Sequence, residues 1–492
     1  MNIIKVMSEV YLVLGVSGII LYSTVPRFVE GGDGSGSSEG IMYLVGQSML
    51  IGGLISVSNE INWEGYGVGL VIDSMGNMVK GAMYIMSGVC VITSYSVKGS
   101  GIREYSIILM MSSIGLGLMV SGKDLMSVYL GVELQALSLY VLASYKRESS
   151  YGTEGGLKYF VIGGFGSGVL LMGSGLIYGE VGSIRLEEIG RVLMCVGEEG
   201  ISEELRVGIL CIIVGLVFKL GGVPFHMWVA DVYEGTIMSG VKYFSVVPKI
   251  GIMCVLIRVL REVPVVVWEK WIVMIAIGSL LISTLGALYQ RRVKRFIGWS
   301  GIGHVGFMLM GVVGGDIKSV YVYMIVYMVT TWGLMEVIER EKIKYIEEVG
   351  KLRGGVMGAV VCILMFSMAG VPPMAGFFTK LYVLKSGLEG GYYILAIVGV
   401  LTSVVSGYYY LRWIKVMYFE RSGWEGRVEK RESSLPSAGD DLKMWHSARH
   451  RADFHNQRKR IGEKIGSVMI GVAVLMVSSG WVGVPLLEGI AY

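Results

Sequence analysis

The stretch LVFKLGGVPFHMWVAD, Leu216 to Asp231, decides how the chain is read. It closes a long apolar run, Val207 to Leu220, with a lysine, Lys219, near its end. Gly221, Gly222 and Pro224 follow at once, then His226 and Trp228. A lysine in an apolar helix needs a polar partner, and a Gly-Gly-x-Pro break frees backbone groups that only protein or trapped water satisfies. The pattern returns as LMFSMAGVPPMAGFFTK, Leu364 to Lys380, where Gly370-Val371-Pro372 matches Gly222-Val223-Pro224. Paired interrupted apolar segments in two halves of a chain point to a transport site.

Composition agrees. The 492 residues are 53% hydrophobic and only 17% charged, with mean hydropathy +0.62. Soluble domains are nearer a quarter charged. About fourteen apolar runs are long enough to cross a ~30 Å hydrocarbon core as helices. They begin near Val10–Val25 and end near Ile465–Leu486; the seventh (Val207–Val229) and twelfth (Val356–Leu384) carry the breaks. The fold class is an all-α polytopic membrane protein. Its 73 glycines suit close helix approach in lipid. The string Gly163-Gly164-Phe165-Gly166-Ser167-Gly168 is read as such packing and not as a phosphate loop, since no Lys-Ser/Thr follows.

Lys and Arg concentrate after odd-numbered runs, as at Lys146-Arg147, Arg291–Arg295 and Arg340–Arg353. Glu187–Arg206, after an even-numbered run, reads as a mainly acidic loop. The positive-inside rule then puts the odd-to-even loops on the negative side of the membrane and both chain ends on the other. No secretory signal or transit peptide is expected before Val10. The five cysteines are scattered, with no CxxC pair, so neither a disulfide framework nor a metal site is expected. His446, His450 and His455 fall in a basic stretch without a completing ligand set and are read as solvated.

An ionised group at mid-bilayer costs ~2.5–3.5 kcal/mol on insertion scales, so each one calls for a reason. Glu133 is central in DLMSVYLGVELQALSLYVLAS, and Lys249 is central in FSVVPKIGIMCVLI. Lys219 and Lys380 sit at the two breaks, Lys380 near enough to an end to snorkel. Burial and pairing act in opposite senses on a Glu–Lys contact, giving two states that a proton can switch. A row of Glu133, Lys219, Lys249 and Lys380, bridged by water and His304, suits passage of protons. His226 is either a relay or a cap for freed carbonyls. Lys242, seven residues before Lys249, is an entrance group or a snorkelling one. Glu336 and Arg340, four apart at a run end, read as an interfacial salt bridge.

The segments YLGVELQALSLYVLAS, EGGLKYFVIGGFGSGVLL, FKLGGVPFHMWVADVYEG, VVPKIGIM, RRVKRFIGWSGIGHVGF and FSMAGVPPMAGFFTKLYVL run in one order from about Asp124 to Arg412. As a set they resemble the antiporter-like membrane-arm subunits of respiratory complex I (NADH:ubiquinone oxidoreductase), in the branch of subunit 2 and its bacterial counterpart, subunit N. The resemblance implies fourteen helices with two inverted five-helix repeats and broken helices 7 and 12. It implies the divisions 1–104 (helices 1–3), 105–260 and 261–418 (the repeats) and 465–492 (helix 14); the basic stretch 419–464 has no counterpart in the family and is read from its composition as an extramembrane loop binding a neighbour or lipid headgroups. It implies Glu133 and Lys219 as the charged pair of a first half-channel, Lys249 as the central lysine, Lys380 as the exit-side lysine, and His304 on the SGIGHVGF motif. It also implies proton translocation without cofactors in this chain; FMN, iron–sulfur clusters and ubiquinone would belong to partner membrane-arm and peripheral subunits. No nucleic-acid partner is implied. The alternatives are a subunit of a cation/proton antiporter or membrane-bound hydrogenase complex, and a structural anchor with vestigial charges. Lys242 departs from the family, which usually has an uncharged, proline-containing stretch there.

The mitochondrial inner membrane is the expected location, with a bacterial plasma membrane as the alternative. The chain is poor in Pro (8), His (5), Gln and Thr and rich in Gly, Val and Met. The depleted residues all need cytosine at a defining codon position, as in some organelle genomes. The coding strand of the gene is therefore expected to be cytosine-poor, and a balanced base composition on sequencing would contradict this.

Overall fold

The computed structural model describes residues 7–29, 35–59, 63–64, 69–94, 96–97, 101–197, 200–420 and scattered positions from 466 to 478, with 22–29, 35–39 and 63–64 described in backbone only. Helices dominate. They are α1 (Met7–Val29), α2 (Ser35–Ser58), α3 (Ser74–Ile92), α4 (Gly101–Ser121), α5 (Leu125–Ala143), α6 (Ser150–Val181), α7 (Leu186–Val196) and α8 (Glu203–Leu220). There follow α9 (Met227–Gly235), α10 (Met238–Glu262), α11 (Val265–Leu288), α12 (Val293–Val313), α13 (Ile317–Arg340), α14 (Val356–Ala369), α15 (Ala375–Glu389) and α16 (Tyr393–Tyr418). Among the described residues, ten helices are long and apolar enough to cross a membrane. The chain is a multi-pass membrane protein.

Both expected breaks are present. The first helix of each pair ends on a glycine with positive φ, Gly221 (76°) after α8 and Gly370 (82°) after α14. A side chain is strained there, so glycine is the residue that lets the chain turn. Each proline lies beyond that glycine, where a missing N–H costs no helical bond. The freed groups are satisfied within the protein. Val223 N donates to Ser279 Oγ of α11 (3.0 Å), and Trp228 Nε1 donates to Phe218 O (3.2 Å).

Two features escape a reading by apolar runs. Leu186–Val196, expected within an acidic loop, is the short amphipathic helix α7: Leu186, Ile189 and Leu193 are buried while Met194 is exposed. Its mixed composition hides the helical spacing of its three apolar anchors. A two-stranded hairpin also pairs Trp63 with Ile72 and Glu64 with Val71. The basic loop 419–464 and its three histidines lie, beyond Glu420, outside the described residues. The same is true of much of the final run, of which the described positions are helical.

The connecting loops gather at two ends. Isolated bridges join Leu70 to Gly122 and Asp124 to Arg185 at one end, and Arg292 to Tyr345 at the other. Odd and even connections thus sort to opposite faces, as alternate crossing requires. Helix α10 is the axis: 94% of its apolar window is buried, against 33% for α6 and 44% for α11. It packs on α3, α4, α8, α12 and α13.

Small residues set the helix spacing. A Cβ on Gly131 of α5 would fall 2.6 Å from Met119 N of α4, whereas one on Gly164 of α6 would meet open space. Gly131→Val should therefore force α4 and α5 apart and cost about 1–3 kcal/mol, read as a lower thermal midpoint in detergent. Gly164→Ala should leave the midpoint unchanged, and equal effects would contradict this packing.

Candidate functional site

The lysines of α8, α10 and α15 turn inward. Lys219, in the last turn of α8, donates to the Tyr140 hydroxyl of α5 (3.1 Å) and to Gly163 O of α6 (3.3 Å). Gly163 has no side chain to shield its carbonyl, so the glycine string of α6 does more than pack: it exposes an acceptor to the ammonium. Lys249 follows Pro248 inside α10 and is buried. Its Nζ reaches the Tyr327 hydroxyl of α13 at 3.5 Å and lies over Gly301 of α12. Lys380 does not snorkel. It is buried, and its Nζ donates to Met368 O (2.9 Å) and Ala369 O (3.0 Å). An ammonium thus satisfies the carbonyls freed at the end of α14, where the helix dipole is negative.

His304 of α12 lies between. Its Nδ1 is 2.7 Å from the Tyr323 hydroxyl and its Nε2 is 3.2 Å from the Tyr410 hydroxyl of α16. Its ring also packs against Tyr327, the tyrosine that Lys249 reaches. Two narrow cavities extend these contacts. One is bounded by Gln135, Lys219, Tyr233, Pro248 and Lys249. The other is bounded by Ser283, Ser300, His304, Lys380, Ser406 and Tyr410. Each is a small void, mostly apolar in its lining but bordered by these polar side chains, with room for about one water. The order along the bundle is Lys219, cavity, Lys249, Tyr327, His304, cavity, Lys380.

Glu133 and His226 join this row less directly. Glu133 is half-buried on α5, two turns from Tyr140, and its Oε1 is buried without a hydrogen-bond partner. Tyr140 stands where an ion pair with Lys219 was expected: Lys219 bonds that hydroxyl, not the carboxylate. His226 is the N-cap position of α9, buried against Trp299, with Nδ1 unpartnered. It borders neither cavity.

Two further buried ion clusters were not anticipated. Lys242 of α10 binds Glu336 (2.7 Å) and Glu339 (2.9 Å) of α13, all three shielded from solvent. Glu336 therefore does not form an interfacial bridge with Arg340: α13 packs on α10 at this end and aims the carboxylate inward. Lys242, in turn, is neither snorkelling nor exposed. Glu9 of α1 binds Lys80 of α3 at 2.7 Å, with Ser121 of α4 completing the contact. Lys80 sits near the start of its run, where position alone suggests an interface. The signal missed in each case is a partner far along the sequence. On the basic-loop face, Asp231 binds Lys158 (3.1 Å) and Arg295 (3.3 Å), and Glu234 binds Arg292 and Arg295.

Residues 122–406 match a family model described as the transmembrane region of NADH:quinone oxidoreductases and Mrp antiporters. The chain belongs to this family. Among its relatives, NADH-quinone oxidoreductase subunit N of Rhodospirillum rubrum is 40% identical over 66% of this chain and 69% of that protein. Subunit N of Parvibaculum lavamentivorans is 35% identical over 84% of this chain and 87% of that protein. In fold, the chain is similar to one from respiratory complex I of Thermus thermophilus. The TM-score is 0.74 with 22% identity, over 98% of this chain and 99% of that one. It is also similar to one from the Mrp complex of a Dietzia species, with a TM-score of 0.76, 17% identity, and 100% and 96% coverage. The family match contains the row from Glu133 to Lys380 and the Lys242 cluster, while Glu9 and Lys80 precede it.

The bonds of Lys380 give a stability test. Lys380→Met removes the donor from two buried carbonyls and should destabilise by about 1–3 kcal/mol, seen as a lower thermal midpoint. An unchanged midpoint would show that other groups satisfy the break.

Proposed function

We propose that this chain is the subunit N (subunit 2) component of an NADH:quinone oxidoreductase and that it carries protons across the membrane through its buried lysines. The one observation that carries the reading is the file of polar groups from Lys219 through Lys249, Tyr327 and His304 to Lys380. Lysines without bonded carboxylates, joined by hydroxyls, imidazole and water-sized voids, can hold and release a proton where apolar side chains cannot. The finer architecture, fourteen helices in two inverted five-helix repeats each holding one broken helix, is part of the same proposal. It is supported by the paired breaks at Gly221 and Gly370.

In this reading Glu133 and Tyr140 set the charge state of Lys219. Protonation of Lys219 repels a proton from Lys249 across their shared cavity. Tyr327 and His304 pass it towards Lys380, whose ammonium is held by the carbonyls of the second break. Reduction of quinone by NADH, with FMN and iron–sulfur clusters, belongs to partner subunits that drive these charge shifts. The proposed location is the mitochondrial inner membrane, on the residue usage that suggests an organellar gene. A cation/proton antiporter subunit shares the fold, and the names borne by the relatives favour the oxidoreductase.

The test is NADH-driven quinone reduction and proton pumping by the assembled complex in proteoliposomes. Lys249→Met should lower coupled turnover about tenfold or more, a barrier rise of ~1.4 kcal/mol. Gly301→Ala, whose Cβ would sit 2.5 Å from Lys249 Nζ, should lower it in the same direction by displacing the ammonium with its charge intact. Wild-type turnover and pumping stoichiometry in both variants would overturn the proposal.

A further inference from the structure

The Lys242 cluster lies off the lysine row, and the proposed function does not use it. It is built from three helices at the basic-loop end of the bundle. Lys242 Nζ meets Glu336 Oε2 (2.7 Å), Glu339 Oε2 (2.9 Å), Thr93 O (2.9 Å) and Thr93 Oγ1 (3.0 Å). Lys242 and Glu336 are wholly shielded from solvent, and Glu339 nearly so.

Three observations separate the cluster from a simple staple between helices. The first is stoichiometry: two carboxylates bond one ammonium. Lys294 of α12, which also faces Glu339, is held by the carbonyls of Glu234 and Thr236. The second is spare capacity: Glu336 Oε1 is buried with no hydrogen-bond partner. The third is a route to water. Ser96 is exposed in the connection between α3 and α4, yet its hydroxyl donates to Glu339 Oε1 (2.5 Å) and its N–H donates to the same atom (2.9 Å). Ser239 Oγ, 2.5 Å from Ser96 Oγ, donates there as well. A single hydrogen bond thus separates a solvent-facing residue from a fully buried ion cluster.

The inward side leads to the lysine row. Lys242 and Lys249 share one face of α10, two turns or about 10 Å apart. Between them Ser245 Oγ donates to Lys242 O (3.1 Å) and the Tyr327 hydroxyl donates to Ser245 O (3.0 Å), and Tyr327 is the group that Lys249 itself reaches. Among the described residues, the other titratable or charged groups facing the cluster include Cys90 of α3, Tyr105 of α4 and Lys294 of α12.

Resting on the proposed function, we infer that Lys242, Glu336 and Glu339 form a proton-exchange port, through which the region around Lys249 trades protons with the aqueous phase on the basic-loop side. A proton arriving from water at Ser96 is taken up by Glu339. That carboxyl then loosens its hold on Lys242, and the ammonium closes onto Glu336. The proton leaves inward along the hydroxyls towards Lys249, or returns to water, and the resting pairing is restored. No bond other than O–H and N–H forms or breaks.

The experiment uses the assembled complex in proteoliposomes, varying pH on the basic-loop side, with Glu336→Gln, Glu339→Gln and Lys249→Met compared. Glutamine keeps the shape and one acceptor, so a staple survives the change while a proton-binding site does not. The port predicts that both glutamine variants lose proton uptake about tenfold and lose one titration from the pH profile. It also predicts that infrared difference spectra lose a protonated-carboxyl signal. Wild-type uptake and pH profile in both, with Lys249→Met inactive, would overturn the port and leave the proposed function standing. Wild-type uptake in Lys249→Met would overturn the function and the port together. Should Glu336→Gln fail to assemble, the wild-type infrared spectrum and Glu339→Gln decide. A cluster with no protonated carboxyl at any pH, and normal uptake in Glu339→Gln, is only a staple.

Discussion

In hydrocarbon a polar group must find its partner inside the protein, and the ammonium of Lys380 on the carbonyls of Met368 and Ala369 is where this constraint is met most plainly. A helix broken in mid-membrane exposes acceptors, and a buried lysine exposes donors. Each alone is costly, and together they offset one another. The break after α8 is resolved differently, by Ser279 and Trp228, which leaves Lys219 free to bond across to Tyr140 and Gly163. The two halves of the chain repeat a motif but use its lysine in different ways.

The same constraint explains why α10 is the axis. It is the most enclosed of the apolar helices and carries two lysines on one face, Lys242 and Lys249. Lys242 is answered by carboxylates at a loop end. Among the described residues, Lys249 is answered by a tyrosine hydroxyl and packs against a glycine. Two carboxylates keep the Lys242 charge in place as an ammonium that can change partner, and the weakly answered Lys249 is available to exchange its proton.

Much of this was legible in the sequence because hydrocarbon penalises charge so strongly. The helix-length runs, both breaks, and Lys219, Lys249, Lys380 and His304 as interior groups follow from local patterns. Partners were not legible where they come from distant helices. Glu336 is four residues from Arg340 and ninety-four from Lys242, and the short spacing was favoured although α13 packs against α10. Tyr140 at Lys219 and Tyr327 at Lys249 were missed because tyrosine in an apolar run reads as core. Helix α7 was missed because its apolar part is short and bracketed by glutamates, Glu187-Glu188 before it and Glu198-Glu199 after it.

Proton passage along this row requires water between the interior lysines. A density map of the assembled complex, sharp enough to place ordered water, tests this most directly. It should show water between Lys219 and Lys249 beside Gln135, and between His304 and Lys380 beside Ser406, with each ammonium turned into the bundle. Dry cavities, or lysines turned to the lipid headgroups, would contradict it.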